Sequence, residues 1–214
     1  MQFLIDDPET NGDGQAVATI LLAHGAGAPM DSPAMDALAR ALSAHGLRVA
    51  RFEFGYMAAR RFGQRKPPPR AETLVPEYLE AVEALGAEPL FIGGKSMGGR
   101  VASLVADDLF RAGRIRGLIC FGYPFHPPAQ PQKLRTGHLK RLETPALICQ
   151  GTRDPFGGRG EVETYGLPGS VEILWLEDGD HDLKPRKKVS GFSVADHLRT
   201  VAGAAAAFAA RLRR

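Results

Sequence analysis

The sequence of 214 residues favours one domain built around one continuous core, and we expect residues 1–214 to form it. Hydrophobic residues make up 44% of the chain and charged residues 24%, a globular composition that argues against a disordered protein. The net charge of +3 is too small to indicate nucleic-acid binding on its own.

Apolar runs alternate with helical patterns along the chain. The run at residues 16–23 is typical of a strand buried on both faces, and the spacing of Met35, Leu38 and Leu42 predicts a helix that ends at Gly46. Further strands are predicted at residues 47–54, 89–93, 115–121, 145–150 and 171–176. Further helices are predicted at residues 75–85 and 99–112, and from near residue 193 onwards.

This alternation predicts an α/β fold, with a mostly parallel, doubly wound sheet that is covered by helices on both faces. Loops that leave the carboxyl ends of parallel strands gather at one edge of the sheet, where ligands bind. The segment between the strands at 115–121 and 145–150 is short. We therefore expect one short helix near residues 133–141 and no separate lid domain.

One of these loops carries the string Gly94-Lys95-Ser96-Met97-Gly98, between a predicted strand and a predicted helix. This is the context of a nucleophile elbow, in which small residues two positions before and after a serine let the strand and the helix approach. The alternative is a tight glycine turn with an inert serine. We interpret Ser96 as a nucleophile.

A serine hydroxyl needs a base to act near neutral pH, and the base needs an acid that orients it. In proteins with this elbow the chain order is serine, acid, histidine. Asp154 and His181 each follow a predicted strand, in that order. Asp178 and Asp180 are alternatives for the acid, but they follow the same strand as the histidine. We therefore predict Asp154 as the acid and His181 as the base.

The other histidines have different predicted places. His126 and His138 lie between two predicted strands, and we count them as candidates for the lining of the site, His126 as a substrate-binding residue. His45 ends a predicted helix and His197 lies in the last one, so we expect both at the surface. His24 belongs to a glycine-rich string after the first long strand.

An acyl-transfer intermediate carries an oxyanion that needs two aligned N–H donors. The backbone of Met97, the residue after the nucleophile, is the first candidate. The second is expected in the glycine-rich string, where we choose Ala26 and keep its neighbours Gly25 and Gly27 as alternatives. A phosphate cradle is disfavoured, because the string lacks both the P-loop lysine–hydroxyl pair and the dinucleotide spacing.

Basic residues concentrate in two segments. Residues 55–71 contain no acid and five bases: Arg60, Arg61, Arg65, Lys66 and Arg70. Residues 183–190 contain four more: Lys184, Arg186, Lys187 and Lys188. We expect both segments to flank the catalytic edge and to attract an anionic substrate, with Arg60 and Arg61 as binding residues. The alternative is that they are solvated loops.

Lys95, next to the predicted nucleophile, is a further substrate-binding candidate that would favour anionic substrates. The alternative is that a nearby acid such as Glu53 pairs with it, since an unpaired buried charge is costly. Cys120 and Cys149 lie inside apolar runs, as buried thiols do, and nothing indicates a disulfide, a metal site or a cofactor.

The longest apolar run, residues 201–210, has about half of the roughly 20 residues that a membrane span needs. We therefore expect no span. The first residues turn acidic after three apolar positions and lack the pattern of a secretory signal, so we expect a cytoplasmic protein.

Four strings in this order resemble the α/β-hydrolase superfamily: His24-Gly25-Ala26-Gly27, the elbow, Gly151-Thr152-Arg153-Asp154-Pro155 and Gly179-Asp180-His181. Residues 51–58 and 181–185 narrow the resemblance to the small bacterial hydrolases grouped with the eukaryotic KANL and testis-expressed hydrolase-like proteins. Dienelactone hydrolase is a more distant resemblance. The resemblance implies Ser96, Asp154 and His181 as a catalytic triad, and it implies no substrate.

We predict a serine hydrolase that cleaves a small carboxylic ester or thioester through an acyl-enzyme intermediate, without a cofactor. The predicted partner is a small-molecule substrate of anionic character, and not nucleic acid. The alternative is a catalytically silent module of the same fold, whose basic loops bind an acidic partner. This alternative stays open because some eukaryotic relatives in the resembled subgroup look like scaffold components.

Overall fold

The fold is a single sheet flanked by helices, described by a computed structural model for residues 1–8, 16–64 and 66–212. Within these residues, seven strands lie in the order β1-β3-β2-β4-β5-β6-β7. The strands are β1 (Phe3–Asp6), β2 (Ala18–Ala23), β3 (Leu47–Phe52), β4 (Leu90–Lys95), β5 (Gly117–Phe121), β6 (Ala146–Gly151) and β7 (Val171–Leu176). The predicted α/β class with a mostly parallel sheet is confirmed.

The sheet is parallel except at one edge. β1 pairs antiparallel with β3, so that Phe3 lies opposite Phe52, whereas the other neighbouring strands are parallel. β1 was not predicted, because four partly exposed residues show no clear alternation. Arg51 of β3 holds this edge in place, since its buried guanidinium contacts the carboxylate of Asp6 at 2.9 Å and that of Asp36.

Helices cover both faces of the sheet. The longer ones are α1 (Pro33–Ser43), α3 (Val75–Leu85), α4 (Met97–Arg111) and α7 (Val194–Leu212), and the short ones are α2 (Gly55–Ala58), α5 (Arg159–Val162) and α6 (Lys187–Ser190). α1 and α7 pack on one face around Leu42 and Phe208, and α3 and α4 pack on the other around Tyr78 and Val101. This arrangement is the predicted covering of the sheet on both faces.

The predicted elements agree with the structure to within a few residues, and two differences concern the site. β4 extends to Lys95 and α4 begins at Met97, so Ser96 alone joins them. Between β5 and β6 the predicted short helix is a single 3-10 turn, Leu139–Arg141. No separate lid domain interrupts this described segment, as predicted.

Both cysteines and one helix histidine, His197, lie in the interior. Cys120 and Cys149 are free and buried as predicted, and burial raises the pKa of Cys149 to about 12. The expectation that His197 lies at the surface is wrong. His197 is buried, and its Nδ1 lies 2.8 Å from the carbonyl oxygen of Leu183, which anchors α7 to the loop after β7.

None of the helices that the structure describes is long and apolar enough to span a membrane.

Candidate active site

Ser96 lies at the sharp turn between β4 and α4, with φ 52° and ψ −115°. This backbone conformation is strained for a residue other than glycine. The glycines on either side are required by close packing. A Cβ atom at Gly94 would lie 2.4 Å from the carbonyl carbon of Gly98, and one at Gly98 would lie 2.5 Å from the carbonyl oxygen of Ala23. The turn therefore has the geometry of a nucleophile elbow.

The structure brings Ser96, His181 and Asp154 together in one hydrogen-bonded row. Nε2 of His181 lies 2.8 Å from Oγ of Ser96, and Nδ1 lies 2.8 Å from Oδ2 of Asp154. The Asp154 side chain is fully buried in the loop after β6, whereas 19% of the His181 side chain is exposed. With the carboxylate as acceptor, Nδ1 carries the ring proton, and Nε2 is free to accept the serine proton.

The buried Asp154 carboxylate has further donors. The side-chain amide of Gln150 donates to Oδ2 over 2.9 Å, and the backbone N–H of Phe156 donates to Oδ1 over 2.8 Å. These bonds orient the carboxylate and supply the hydrogen-bond partners that a buried polar group needs. Asp178, an alternative acid at the sequence level, instead binds Arg186 and Arg153.

Sequence reasoning missed both Gln150 and Phe156. Gln150 is fully buried at the end of an otherwise apolar strand, and this polar residue in an apolar run was the available signal. The ring of Phe156 stacks on that of His181, with centroids 4.0 Å apart. No sequence pattern points to this stacking, because the two residues meet only through the fold.

Lys95 supports the other side of His181. Its Nζ donates to the carbonyl oxygen of His181 over 2.7 Å and lies 3.5 Å from Oδ1 of Asp182. The partner suggested from the sequence, Glu53, instead accepts from Arg61 at 2.7 Å. Burial lowers the pKa of Lys95, and the charge of Asp182 opposes that shift. Lys95 thus fixes the histidine loop by its contact with the backbone.

The loop after β2 is held by the buried His24. Its Nδ1 lies 2.6 Å from the carbonyl oxygen of Gly25, and its Nε2 accepts from the backbone N–H of Phe54 over 3.2 Å. Burial lowers the pKa of His24, so the neutral ring fits this donor and acceptor pattern. The hydroxyl of Tyr56 donates to the carbonyl oxygen of Ala26 over 3.1 Å. Ala26 is thereby held beside Ser96, and both residues line the same pockets.

Two pockets meet at Ser96, and Ala26 and Phe156 line both of them. The larger is a cleft of about 600 Å³ between the loop before α3 and the loop after β5, and Met97 lines it. The smaller measures about 300 Å³ and is mainly apolar, with Gly25, Lys95, Met35 and Leu38 in its wall. The site is therefore open on two sides, with different chemistry on each.

Other predicted binding residues lie away from these two pockets. Arg61 is engaged by the carboxylates of Asp31 and Glu53, and Arg60 donates to the carbonyl oxygen of Lys66. His126 is buried, with Nδ1 2.9 Å from the carbonyl oxygen of Pro127. None of Arg60, Arg61 and His126 lines either pocket. Arg65 of the basic segment lies outside the described residues.

A second serine–histidine pair lies behind the larger cleft. Oγ of Ser103 is 2.8 Å from Nε2 of His138 and 3.0 Å from the hydroxyl of Tyr123. Ser103 projects from the interior of α4 and is only 3% exposed. Within the part of the chain that the structure describes, no carboxylate is hydrogen-bonded to His138. The pair therefore lacks both the access and the acid of the row at Ser96.

The chain matches one protein family over most of its length. Residues 16–210 match the family described as an alpha/beta hydrolase domain. The matched range includes Ser96, Asp154 and His181. The match covers the strands from β2 to β7 and the helices between them.

Solved structures share the fold at low sequence identity. An esterase domain from Rhodothermus marinus is 20% identical, over 99% of this chain and 93% of that chain, with a TM-score of 0.61. Dienelactone hydrolase from Anabaena variabilis is 19% identical over 98% and 91%, with a TM-score of 0.71. Est1E from Butyrivibrio proteoclasticus, solved with ferulic acid bound, is 14% identical over 99% and 94%, with a TM-score of 0.68. These likenesses establish a common fold.

Proposed function

The chain belongs to the alpha/beta hydrolase family, and we propose that it is a serine hydrolase that cleaves a small carboxylic ester or thioester. The observation that carries the proposal is the hydrogen-bonded row from Ser96 through His181 to the buried Asp154. Likeness of fold alone does not assign a reaction. The reaction is therefore argued from the geometry of these three side chains.

The proposed reaction proceeds in two steps. Oγ of Ser96 attacks the substrate carbonyl carbon while Nε2 of His181 accepts the serine proton, and Asp154 stabilises the imidazolium that forms. The backbone N–H groups of Met97 and Ala26 are proposed to stabilise the oxyanion. The imidazolium then donates its proton to the departing alcohol or thiol. In the second step, water loses a proton to His181 and attacks the acyl carbon. The bond between this carbon and Oγ of Ser96 then breaks, the imidazolium returns its proton to Oγ, and the acid is released.

Ser96 is the proposed nucleophile in preference to Ser103. Ser96 lines both pockets, whereas Ser103 is buried inside α4 and shares its hydrogen bonds with His138 and Tyr123. A nucleophile must reach the substrate carbonyl, and a serine that is only 3% exposed does not. We assign Ser103 and His138 a structural role.

The open site and the absence of a lid domain between β5 and β6 support a small substrate over a long lipid. The narrower kinship with the small bacterial hydrolases of the KANL and testis-expressed subgroup is part of the proposal. The strings at residues 51–58 and 181–185 support that kinship.

Hydrolysis of short 4-nitrophenyl esters and acyl thioesters tests the proposed function. We expect Ser96→Ala and His181→Ala to lower kcat by about 10³-fold or more, because the members of a triad act as a unit. Ser103→Ala is the matched control and is expected to keep kcat within a few-fold. Activity that survives Ser96→Ala would contradict the proposal. Inactivity of the wild-type protein on all esters and thioesters, with binding to an acidic partner, would favour the interaction module.

A further inference from the structure

The larger cleft beside Ser96 has a cationic wall. Its wall contains Arg70, Arg100 and Arg135 but one acid, Glu72, so its side chains carry three positive charges and one negative charge, a net +2. Only a part of this charge belongs to the basic segments recognised in the sequence, because Arg100 lies in α4 and Arg135 in the loop after β5.

Arg135 differs from the other two arginines of this wall, because Arg70 is exposed to solvent and Arg100 is paired with Glu72. Its side chain is half-buried, and no carboxylate of the described residues lies within 4 Å of its guanidinium. Burial lowers the pKa of Arg135, and the charge of Arg100 lowers it further. Arg100 is only 18% exposed and is engaged by the carboxylate of Glu72. Two cations are thus held near each other, and only one of them has an acidic partner.

The buried serine–histidine pair holds these two arginines in place. Ser103 lies one helical turn after Arg100 and donates to its carbonyl oxygen over 2.7 Å. His138 lies three residues after Arg135, and its ring is 2.8 Å from Oγ of Ser103. The backbone N–H of Arg135 also donates to the carbonyl oxygen of Phe125 over 2.7 Å. The loop that carries Arg135 is therefore fixed to the helix that carries Arg100.

The two pockets at Ser96 differ in what they can hold. The smaller pocket presents Met35 and Leu38, which suit an uncharged hydrocarbon group. The larger cleft offers the guanidinium of Arg135, whose planar donor groups match the two oxygens of a carboxylate. An anion bound between Arg135 and Arg100 would also reduce the repulsion between their positive charges. A substrate with one apolar half and one carboxylate half would match both pockets with its ester bond at Ser96.

We propose that Arg135, supported by Arg100, binds a carboxylate on one half of the ester or thioester substrate. This inference rests on the proposed function and names its substrate class, a half-ester of a dicarboxylic acid or an ester of a hydroxy acid. Arg135 is a specificity-determining residue that takes no part in the chemical steps. The apolar half of the substrate lies in the smaller pocket.

Two matched pairs of substrates test this proposal. In the first, 4-nitrophenyl hydrogen adipate and 4-nitrophenyl methyl adipate place the charge on the acyl half. In the second, 4-acetoxybenzoate and its methyl ester place it on the leaving half. We expect Arg135→Gln to lower kcat/KM for the anionic member of at least one pair by about tenfold to a hundredfold, the range of charge-assisted hydrogen bonds. The neutral members are expected to change less than twofold.

Arg199→Gln is the matched control, because Arg199 is an exposed residue of α7 that pairs with Asp196. It is expected to change neither member of a pair. An equal effect of Arg135→Gln on both members of both pairs, or no effect on any, would overturn the proposal. The unchanged neutral esters show that the variant is folded.

A binding measurement separates this proposal from the proposed function. The same four esters are titrated onto Ser96→Ala with and without Arg135→Gln. Tighter binding of the anionic members that is lost with Arg135→Gln supports the carboxylate site, even if the wild-type protein hydrolyses none of them. Equal binding of charged and neutral members overturns it, even if the protein is an active esterase.

Discussion

The side-chain amide of Gln150 donates to Oδ2 of Asp154 over 2.9 Å, and the same oxygen lies 2.8 Å from Nδ1 of His181. Gln150 also joins this acid to the start of the loop after β5, because its Oε1 accepts from the backbone N–H of Tyr123. One buried amide thus links the ends of two neighbouring strands and orients the carboxylate of Asp154, the proposed acid.

Replacing Gln150 is expected to affect both stability and catalysis. Gln150→Leu leaves the N–H of Tyr123 unpaired and removes a donor from Asp154, so we expect a loss of about 1–3 kcal/mol in the free energy of unfolding. Gln150→Glu places a second carboxylate beside Asp154, and we expect it to lower kcat more than Gln150→Leu does. Urea unfolding and ester kinetics measure the two effects. Wild-type stability and kcat in both variants would contradict this role.

The close packing at the elbow predicts a steric effect at Gly98. A Cβ atom there would lie 2.5 Å from the carbonyl oxygen of Ala23, so Gly98→Ala must push α4 away from β2. We expect a loss of about 1–3 kcal/mol or more in stability and a loss of activity as Ser96 shifts. Gly160→Ala is the control, because a Cβ atom at Gly160 meets no atom within 4 Å. Thermal unfolding of both variants is the measurement, and equal midpoints would refute the steric argument.

Lys95 is expected to act on catalysis by positioning His181. Lys95→Met removes the donor to the carbonyl oxygen of His181, and we expect kcat for neutral esters to fall about tenfold with KM little changed. Lys184→Met, which removes a different cation from Asp182, is the control and should leave kcat near wild type. A change in KM alone would instead indicate that Lys95 acts on substrate binding.

The ion pair of Asp178 with Arg186 predicts how the stability of the fold changes at low pH. Hydrogen bonds from Arg186 lower the pKa of Asp178 to about 2. Because the folded-state pKa is below the unfolded value, this stabilisation is complete above the ordinary aspartate pKa of about 4 and is lost as pH falls towards 2. Asp178→Asn should therefore flatten the fall of the urea midpoint between pH 4 and pH 2, while the exposed Asp108→Asn should not. If the urea midpoints of Asp178→Asn and wild type fell in parallel between pH 4 and pH 2, the stabilising role of this ion pair would be contradicted.

Much of the fold follows from local patterns in the sequence. The apolar runs predicted six of the strands, and the small residues around Ser96, with the order of Asp154 and His181, indicated residues that the structure brings together. The strands and the turn at Ser96 depend on near neighbours in the chain, whereas Asp154 and His181 were found from the order of the loops that carry them. Hydrophobic periodicity and motif spacing can therefore predict these features.

The features that were missed depend on contacts between distant segments. β1 is too short to show a pattern and is held through Arg51, and His197 is buried because α7 packs against the loop after β7. Lys95 contacts Asp182 and not Glu53, although Glu53 is nearer to Lys95 in the sequence. The Arg100 and Arg135 pair arises only when α4 meets the loop after β5, so charge counts along the chain did not find it.

The proposed function requires Ser96 to be the activated serine. Intact mass after incubation with a small fluorophosphonate tests it most directly, with wild type, Ser96→Ala, Ser103→Ala and His181→Ala treated in parallel. We predict one adduct on wild type and on Ser103→Ala, none on Ser96→Ala, and slow labelling of His181→Ala. An adduct that persists on Ser96→Ala, or the absence of any adduct on the wild-type protein, would show that Ser96 is not an activated nucleophile.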